Sequence, residues 1–374
     1  MKIGFDAKRA FANNTGLGNY SRFVIKSLHH NFPENDFYLY TPVLKENKEF
    51  SAFDTNHKLH YKLPSKIVTS LGFKSLWRSF GIANQAEKDH LDIYHGLSNE
   101  LPFGKKRFKT VVTIHDLLFL RFPHLYKKID VEIYKNKWKY ACKEADKIIA
   151  ISNQTAEDLN TFLNIPSHKI EVVYQGCNEV FKQEFDSRKL KSVAEKYALP
   201  TDFILNVGTV EPRKNALTIV KSLPFLTNTE IPLVIVGRET PYKQDIIEFI
   251  QKENLTNRVI FLHNVPFEDL PLIYQLSKLF IYPSIFEGFG IPIIEALNSG
   301  IPVISSTGSC FSEAGGKDSL YIDPKSPEQL AEAIQSVLKN PTKARFMIER
   351  GKEYVKRFES EKIADDIMSV YNMI

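Results

Sequence analysis

Short apolar runs recur along the whole chain, and segments with a helical spacing of apolar positions separate them. Several runs are continuously apolar rather than alternating, which is typical of strands buried on both faces of a parallel sheet. In the first half of the chain the predicted strands are 2–7, 37–42, 57–63, 92–96, 110–116, 147–152 and 170–176. In the second half they are 203–209, 232–238, 259–265, 279–284, 302–308 and 319–323.

This alternation predicts two doubly wound α/β domains, one after the other. Apolar periodicity lapses over residues 177–189, so we place an N-terminal domain at 1–180 and a C-terminal domain at 181–357. Two such sheets are expected to face each other across a cleft, with ligands at the carboxyl ends of the strands. Residues that carry chemistry should therefore follow strands closely.

The glycines of "TGLGNY" open a helix just after the first predicted strand. Gly16 and Gly18 have no Cβ, so the backbone there can approach a ligand, and the positive end of the helix dipole favours an anion. The stretch is not a complete dinucleotide-binding motif, because Ser21 stands where a third glycine is required. A tight turn that needs glycine is an equally good interpretation.

Two cations, Arg213 and Lys214, stand between the predicted strand 203–209 and the helix that begins near Asn215. Both have the sign of the helix dipole at that end, which is unfavourable unless an anion lies beside them. A guanidinium and an ammonium group there would suit a diphosphate. The alternative is a pair of solvated charges on a loop.

The segment "EGFGIPIIE" follows the predicted strand 279–284 and contains two glutamates, Glu287 and Glu295, with no cation between them. Carboxylates without cationic neighbours suit vicinal hydroxyls, because each can accept two hydrogen bonds from a diol. The glycines between them allow backbone amides to surround a ligand. For Glu295 alone, a first-turn glutamate favoured by the helix dipole is the alternative.

His115 follows the apolar strand predicted at 110–116, together with Asp116. A histidine at the carboxyl end of a strand could orient a sugar hydroxyl or transfer a proton. A structural histidine that is hydrogen-bonded in the core is the competing interpretation.

The composition, 43% hydrophobic and 25% charged residues in a chain of 374, is that of a globular protein of more than one domain. Three scattered cysteines favour a reducing compartment. We find neither a signal peptide nor an apolar run of membrane-spanning length, so we expect a cytoplasmic protein. Residues 1–175 carry 26 Lys and Arg against 18 Asp and Glu, whereas residues 176–374 carry 23 against 26. The basic half indicates either anionic partners or solvated lysines, and no DNA-reading helix accompanies it.

Taken together, these motifs resemble the retaining nucleotide-sugar glycosyltransferases of family four. "EGFGIPIIE" is similar to their pair of glutamates eight positions apart, and "GTVEPRKN", "TGLGNY", "IHD" and "VVYQG" occur in the same order and spacing. The resemblance implies the GT-B fold, with two facing Rossmann-like domains and a nucleotide-sugar held mainly by the second. It also implies that a C-terminal helix at about 358–374 packs back on the first domain.

The resemblance also implies roles for the donor-binding residues. Glu287 would contact hydroxyls of the transferred sugar, and Glu295 would bind the ribose diol. The amides of Phe289, Gly290 and Ile291 would support the sugar and the phosphates.

Around the phosphates, Lys214 with Arg213 would neutralise the diphosphate as it leaves, and Gly16 and Gly18 would approach it from the first domain. Val265 would meet the base through its backbone.

His115, by the same resemblance, would sit beside the sugar near the acceptor. Glu287 could act as a covalent nucleophile, but we prefer a role in orienting hydroxyls.

In one respect the sequence departs from the family pattern. Thr209 stands where many members have a phosphate-binding arginine, and Arg213 is expected to compensate. The variant is similar to members that build bacterial surface polysaccharides, often from GDP-mannose. Since no Asp-x-Asp pair follows a strand, we expect neither a divalent metal nor another cofactor. Retention of anomeric configuration is implied by the resemblance alone.

Expected partners are the nucleotide-sugar donor and a saccharide or lipid-linked saccharide acceptor. Segments 65–82, 104–109 and 126–143 combine basic and apolar residues, which suits peripheral contact with an anionic membrane at the inner face of the cytoplasmic membrane. Amphipathic helices that pack on the sheet are the alternative for each segment. A nucleotide-sugar epimerase or hydrolase of the same fold, or a non-catalytic two-lobed sugar-binding protein, remains the alternative function.

Overall fold

The computed structural model describes residues 1–13, 15–44, 58–104 and 106–374. The chain divides into two compact units. The first comprises Met1–Gly176 together with Phe358–Ile374, and the second comprises Cys177–Arg357. The boundary between the two units therefore falls after Gly176, whereas the sequence predicted it after residue 180.

A parallel sheet forms the centre of the first unit. Within the described residues its strands are β1 Lys2–Asp6, β2 Asp36–Tyr40, β3 Leu59–Lys62, β4 Ile93–Gly96, β5 Lys109–Ile114, β6 Lys147–Ala150 and β7 Ile170–Val172. They lie in the order β3-β2-β1-β4-β5-β6-β7. Because the order reverses at β1, the carboxyl ends of β1 and β4 are where a doubly wound sheet opens to a ligand.

Helices connect the strands of this unit. They are α1 Lys8–Ala12, α2 Gly16–Asn31, α3 Lys66–Ser70, α4 Lys74–Leu76, α5 Ile82–Lys88, α6 Leu118–Arg121, α7 Lys128–Glu144 and α8 Asn153–Leu163. A π-helical turn, Trp77–Gly81, joins α4 to α5. On α2, Tyr20, Val24 and Leu28 are buried, as the apolar stripe of the sequence requires.

The second unit repeats the architecture with a second parallel sheet. Its strands are β8 Ile204–Val207, β9 Leu233–Val236, β10 Val259–Leu262, β11 Leu279–Tyr282, β12 Val303–Ser306 and β13 Leu320–Ile322. They lie in the order β10-β9-β8-β11-β12-β13, so β8 and β11 are neighbours although more than seventy residues separate them in the chain. Its helices are α9 Ser187–Lys196, α10 Ala216–Ser222, α11 Lys243–Lys252, α12 Leu270–Leu276, α13 Ile291–Asn298, α14 Phe311–Gly315, α15 Pro327–Leu338 and α16 Pro341–Tyr354.

The last helix, α17 Ser360–Asn372, belongs to the first unit and packs against α2. Its buried face includes Ile363, Ile367 and Tyr371. The Tyr371 hydroxyl lies 2.7 Å from Nδ1 of the buried His95 in β4, which ties this helix to the first sheet.

Each predicted strand is present, and its ends coincide with the predicted ends, lie one to four residues inside them or lie one residue beyond them. Two residues of the predicted segments lie outside the described part of the chain. They are His57, the first residue of the strand predicted at 57–63, and Lys105 in the basic segment 104–109. The two parallel sheets confirm the predicted α/β class with two Rossmann-like domains. A search of the helices in the described ranges finds none that is long and apolar enough to cross a membrane.

Candidate functional site

The carboxyl ends of β8 and β9 approach each other unusually closely. Gly208 follows β8 with φ +153°, a conformation that favours glycine. A Cβ added to Gly237, just after β9, would lie 1.8 Å from the Gly208 carbonyl oxygen. Both glycines are therefore required for backbone packing at this edge, and Thr209 follows directly, partly buried.

A short 3-10 turn, Pro212–Lys214, carries the two predicted cations. It ends at Asn215, whose left-handed backbone (φ 58°) precedes α10. The Asn215 side-chain amide donates to the carbonyls of Pro283 (3.1 Å) and Pro324 (2.7 Å), which fixes the turn against the loops after β11 and β13. Arg213 and Lys214 thus lie in the turn before the helix.

Both cations contact the Glu287 carboxylate. Arg213 Nη1 lies 2.7 Å and Lys214 Nζ lies 2.6 Å from the same oxygen, Glu287 Oε1. Lys214 also donates to the hydroxyl of Tyr282 at 2.6 Å, and Arg213 donates to the carbonyl of Phe286 at 2.7 Å. The prediction that Glu287 has no cationic neighbour is therefore wrong. Adjacency of β8 and β11 brings the two segments together, and local sequence does not contain that information.

The charges of this cluster hold one another ionised. Burial acts to raise the pKa of the Glu287 carboxyl, but Lys214 and Arg213 outweigh it and the pKa lies below its usual value. Burial likewise acts to lower the pKa of Lys214, but the hydroxyl of Tyr282 and the Glu287 carboxylate outweigh it and raise that pKa. Arg213 has a second carboxylate partner, Glu211, at 2.6 Å. The four side chains together have no formal net charge, so an anionic ligand must share or take over the two cations.

The loop from Glu287 to Gly290 is held by residues that follow β12. Ser309 Oγ lies within hydrogen-bond distance of both the Glu287 amide (3.3 Å) and the Glu287 carbonyl (3.0 Å). The Cys310 thiol donates to the carbonyl of Phe289. Gly290 then adopts φ +127° immediately before α13, so a side chain there would be strained. Ser309 and Cys310 are positioning residues that the sequence analysis missed.

Phe289 and Gly290 are buried, and Ile291, partly buried, is the first residue of α13. Amides in the first turn of a helix have no intrahelical acceptor and carry the positive end of the dipole. Here Pro292 has no amide hydrogen and the Ile293 amide donates to the carbonyl of Gly290 at 3.0 Å. The amides of Gly290 and Ile291 are therefore the ones that this helix start can offer to sugar or phosphate oxygens.

Glu295 lies in α13, one turn beyond its start, and is partly exposed. The buried hydroxyl of Tyr274, from α12, donates to Glu295 Oε2 at 3.0 Å. Burial raises the pKa of Glu295 to about 7, and the hydrogen bond from Tyr274 opposes that rise only in part. Unlike Glu287, then, Glu295 has a neutral partner. Once it is ionised, such a carboxylate can accept hydrogen bonds from hydroxyl groups.

Val265 follows β10, which lies two strands from β8 at the same edge of the sheet. Its side chain is partly buried, next to exposed Asn264 with a left-handed backbone (φ 55°). The loop thus follows the carboxyl end of β10. The backbone contact of Val265 with the base, which the family resemblance implies, stays a prediction.

In the first unit, the two glycines of "TGLGNY" differ. A Cβ on Gly18 would lie 1.8 Å from the Asn13 carbonyl oxygen, so packing of α2 on the preceding loop already requires glycine there. At Gly16, the described residues leave space for a side chain. Of these two glycines, Gly18 is the one that packing against the described residues requires, and Gly16 is not.

His115 is buried after β5, and both of its ring nitrogens have partners. Nε2 donates to the carbonyl of Leu97 at 2.9 Å, and Nδ1 lies 3.2 Å from the Gln175 side-chain nitrogen. The ring also packs edge-on against Tyr20, with centroids 4.6 Å apart. Burial lowers the pKa of His115 to about 4. This geometry matches the structural alternative for His115. The role beside the sugar stays a prediction.

Among the residues that the structure describes, no cluster of three His, Cys, Asp or Glu side chains is arranged to hold a metal ion. The expectation of a metal-independent site stays a prediction.

Two family models match the chain. The Glycosyltransferase Family 4 model matches residues 27–180, and the Glycosyl transferases group 1 model matches residues 188–354. These ranges correspond to the two units and together cover most of the chain.

Individual proteins agree with the models. O-antigen chain mannosyltransferase B of Escherichia coli is 28% identical over 295 residues, which cover 77% of this chain and 76% of that protein. The O-antigen chain mannosyltransferase RfbU of Salmonella typhimurium is 28% identical over 252 residues, 67% of this chain and 66% of that protein.

Among solved structures, Anabaena HepE in complex with UDP matches over the whole of both chains, with a TM-score of 0.75 and 16% identity. HepE has also been crystallised with UDP-glucose. This likeness supports the fold. The chain belongs to the GT-B glycosyltransferases that combine a Glycosyltransferase Family 4 domain with a Glycosyl transferases group 1 domain.

Proposed function

We propose that this glycosyltransferase moves a hexose from a nucleoside-diphosphate sugar to a saccharide acceptor, with retention at the anomeric carbon and without a divalent metal. The observation that carries the proposal is the buried cluster of Arg213, Lys214 and Glu287 at the carboxyl ends of β8 and β11. The loop before α13 follows β11 directly, and Glu295 lies one turn into that helix.

Charge development at the leaving group explains the two cations. When the anomeric bond breaks, the sugar becomes oxocarbenium-like and the diphosphate gains negative charge. Arg213 and Lys214, held ionised by their carboxylate partners, would stabilise that charge more in the transition state than in the ground state. The amides of Gly290 and Ile291, at the start of α13, would add donors that need no reorganisation.

Glu287 would then have two tasks. In the ligand-free chain its Oε1 atom fixes both cations, and with donor bound its carboxylate would accept hydroxyls of the transferred sugar. A glutamate so tightly paired is a weaker nucleophile than a free one, which supports the orienting role over a covalent one. Glu295, in its ionised form, would accept hydrogen bonds from the two hydroxyls of the ribose.

The names of the curated relatives support a mannosyl donor and an O-antigen type of acceptor, so we propose GDP-mannose as the donor. UDP-glucose is the first competitor, because HepE binds it. Radiolabelled transfer from each donor to a mannose-terminated lipid-linked acceptor distinguishes the two. Activity that survives EDTA, and an α-linked product in the NMR spectrum, are the results expected for a metal-independent retaining enzyme. Loss of activity in EDTA or a β-linked product would contradict those two details.

An apolar surface on the first unit supports contact with a membrane. Helices α3 and α4 bury no side chain, and five large apolar residues of this stretch are exposed: Ile67, Leu71, Phe73, Leu76 and Phe80. We refer to these five as the apolar patch. Lys66 and Lys74 lie beside them, and exposed Ile129 on lysine-rich α7 has the same character.

Exposed apolar side chains flanked by lysines suit the headgroup region of an anionic bilayer. We therefore propose peripheral attachment at the inner face of the cytoplasmic membrane, where a lipid-linked acceptor would be reached. Sedimentation with phosphatidylcholine vesicles that contain phosphatidylglycerol should be strong at low salt and weak in phosphatidylcholine alone.

The variant Ile67→Ser/Leu71→Ser should reduce that binding severalfold, because these side chains are 71% and 60% exposed. Phe346→Ser, at a 52% exposed position in the second unit, is the matched control. Equal loss in both variants would contradict attachment through the apolar patch.

A further inference from the structure

Tyr282 is the last residue of β11, and its side chain reaches the cluster of Arg213, Lys214 and Glu287. The residue is 1% exposed. A buried hydroxyl group needs a hydrogen-bond partner, and here the partner is the Lys214 ammonium group, whose Nζ atom lies 2.6 Å from the hydroxyl oxygen. The tyrosine is therefore part of the donor site as well as of the core.

The Lys214 ammonium group depends on such contacts for a defined position. Lysine carries its charge on a flexible four-carbon stem, so the charge stays in one place only where neighbours hold it. Tyr282 holds it with the hydroxyl oxygen and also with the ring, whose centre lies 5.1 Å from Nζ. The other polar contact of Nζ among the described residues is the pair of 2.6 Å with Glu287 Oε1.

Donor binding would change the contact with Glu287 but not the contact with Tyr282. An ammonium group has three N–H donors, of which one is directed to Tyr282 and one to Glu287. A diphosphate can use the third donor, and it gains the second when the Glu287 carboxylate turns to the hydroxyls of the sugar. The tyrosine hydroxyl then remains the fixed contact of Lys214.

A row of aromatic rings places this contact next to the part of the site proposed for the ribose. The ring centroids of Tyr274 and Phe280 are 5.3 Å apart, and those of Phe280 and Tyr282 are 6.1 Å apart. At one end of the row the Tyr274 hydroxyl donates to Glu295, and at the other end the Tyr282 hydroxyl accepts from Lys214. In a nucleotide-sugar the diphosphate is the neighbour of the ribose, so this order suits the donor.

The hydrogen bond between Tyr282 and Lys214 is a fixed contact and not a route for a proton. Burial, followed by the charge of Glu287, raises the pKa of Tyr282 to about 12, although Lys214 and Arg213 oppose that rise. The hydroxyl therefore keeps its proton at neutral pH, and Lys214 stays ionised at the same pH.

We propose that Tyr282 is a positioning residue for the transfer reaction, whose hydroxyl holds the Lys214 ammonium group against the leaving diphosphate while Glu287 binds the sugar. The inference rests on the transfer function proposed above and adds a residue to that same site. A charge that is fixed in advance stabilises the charge that develops in the transition state without reorganisation. The benefit therefore lies in the rate of transfer more than in the affinity for the nucleotide.

Kinetics and calorimetry of Tyr282→Phe test this role, because the variant keeps the ring and loses only the hydroxyl. The donor is whichever of GDP-mannose and UDP-glucose the wild type uses. The kcat should fall about tenfold or more, whereas the Kd of GDP or UDP should stay within about threefold, since the charge of Lys214 remains. Tyr354→Phe is the matched control and should change neither value. It removes a hydroxyl of the same unit that donates to the Glu313 carbonyl at 2.8 Å.

A double-mutant cycle with Lys214→Met distinguishes positioning from a general structural role. When Tyr282→Phe is added to Lys214→Met, the single-turnover rate should change by less than about twofold, because the group that the hydroxyl holds is already absent. Equal losses of rate in the wild-type and Lys214→Met backgrounds would overturn the proposal. A Kd for the nucleotide that rises as much as kcat falls would overturn it too.

The wild-type chain shows which of the two proposals fails. If it binds GDP or UDP and transfers a sugar while Tyr282→Phe keeps the wild-type kcat, the role of Tyr282 is wrong and the proposed function stands. If it neither binds these nucleotides nor transfers from either donor, the proposed function is wrong, and the role of Tyr282 is wrong with it.

Discussion

Replacement of Glu295 by glutamine should stabilise the ligand-free protein in a way that grows with pH. Glutamine resembles the protonated carboxyl and keeps an oxygen that can accept the hydrogen bond from Tyr274. Burial raises the folded-state pKa of Glu295 from an ordinary 4.5 to about 7. The unfolded chain therefore releases this proton at lower pH than the folded chain, and wild-type stability falls as pH rises through that window.

The size of the effect follows from the pKa. At roughly 1.4 kcal/mol per pH unit, the full penalty in the wild-type chain is about 3 kcal/mol. The penalty is small at pH 5 and complete at pH 8, so the advantage of Glu295→Gln should grow by about 2.5 kcal/mol between them. For a domain the size of the second unit, this corresponds to a relative gain of about 5–10 °C in Tm.

Differential scanning calorimetry of wild type and Glu295→Gln at several pH values between 5 and 8 measures this difference. Glu332→Gln, at an exposed position of α15, is the control and should show no growing advantage. The same variant should bind a nucleotide-sugar about tenfold or more weakly, because the hydrogen bonds from a diol to a charged group are lost. A difference in Tm that is flat or shrinks as pH rises would refute the argument from burial.

Three further outcomes are expected. Glu287→Gln should bind a nucleoside diphosphate more tightly in calorimetry, because the cation pair loses its anion, while transfer falls at least tenfold; weaker diphosphate binding would contradict the assignment. The imidazole C–H resonance of His115 should stay unchanged in NMR from pH 8 to pH 5, since its pKa lies at about 4, and a midpoint near 6.5 would show a solvated ring. Gly290→Ala, at φ +127°, should reduce stability by about 1 kcal/mol or more and weaken donor binding, whereas Gly16→Ala should leave the Tm nearly unchanged.

The strands were predictable because a strand that is buried on both faces needs a continuous run of apolar residues, which is visible in the sequence. The residues at which the strands end were harder to predict. The strand predicted at 110–116 is longer than β5, which ends at Ile114. The strand stops there because the amide of His115 donates a hydrogen bond to the side chain of Asn99 at 2.8 Å. Asn99 is distant from His115 in the sequence, so the spacing of apolar residues around the strand could not predict this hydrogen bond.

Part of the candidate site could be predicted, because functional residues in α/β folds tend to follow the carboxyl ends of strands. The sequence indicated Glu287, Glu295, Arg213 and Lys214 as separate features. It could not show that Glu287 pairs with both cations, because the pairing depends on β8 lying beside β11.

Other site residues have no distinctive sequence signal. Ser309 and Cys310 hold the loop at Glu287 from the end of β12, and Tyr274 contacts Glu295 from α12. Their positions belong to no motif that the sequence analysis singled out, so their role became visible only in the fold.

Calorimetric titration of GDP-mannose into the wild-type chain and into Arg213→Met/Lys214→Met tests the central claim most directly. The account predicts saturable binding at one site in the wild type and a loss of at least a hundredfold in the double variant, since two charge-assisted contacts to the diphosphate disappear. UDP-glucose in parallel identifies the preferred base. Equal affinity of both proteins for the nucleotide-sugar would contradict the claim that these two cations hold its diphosphate.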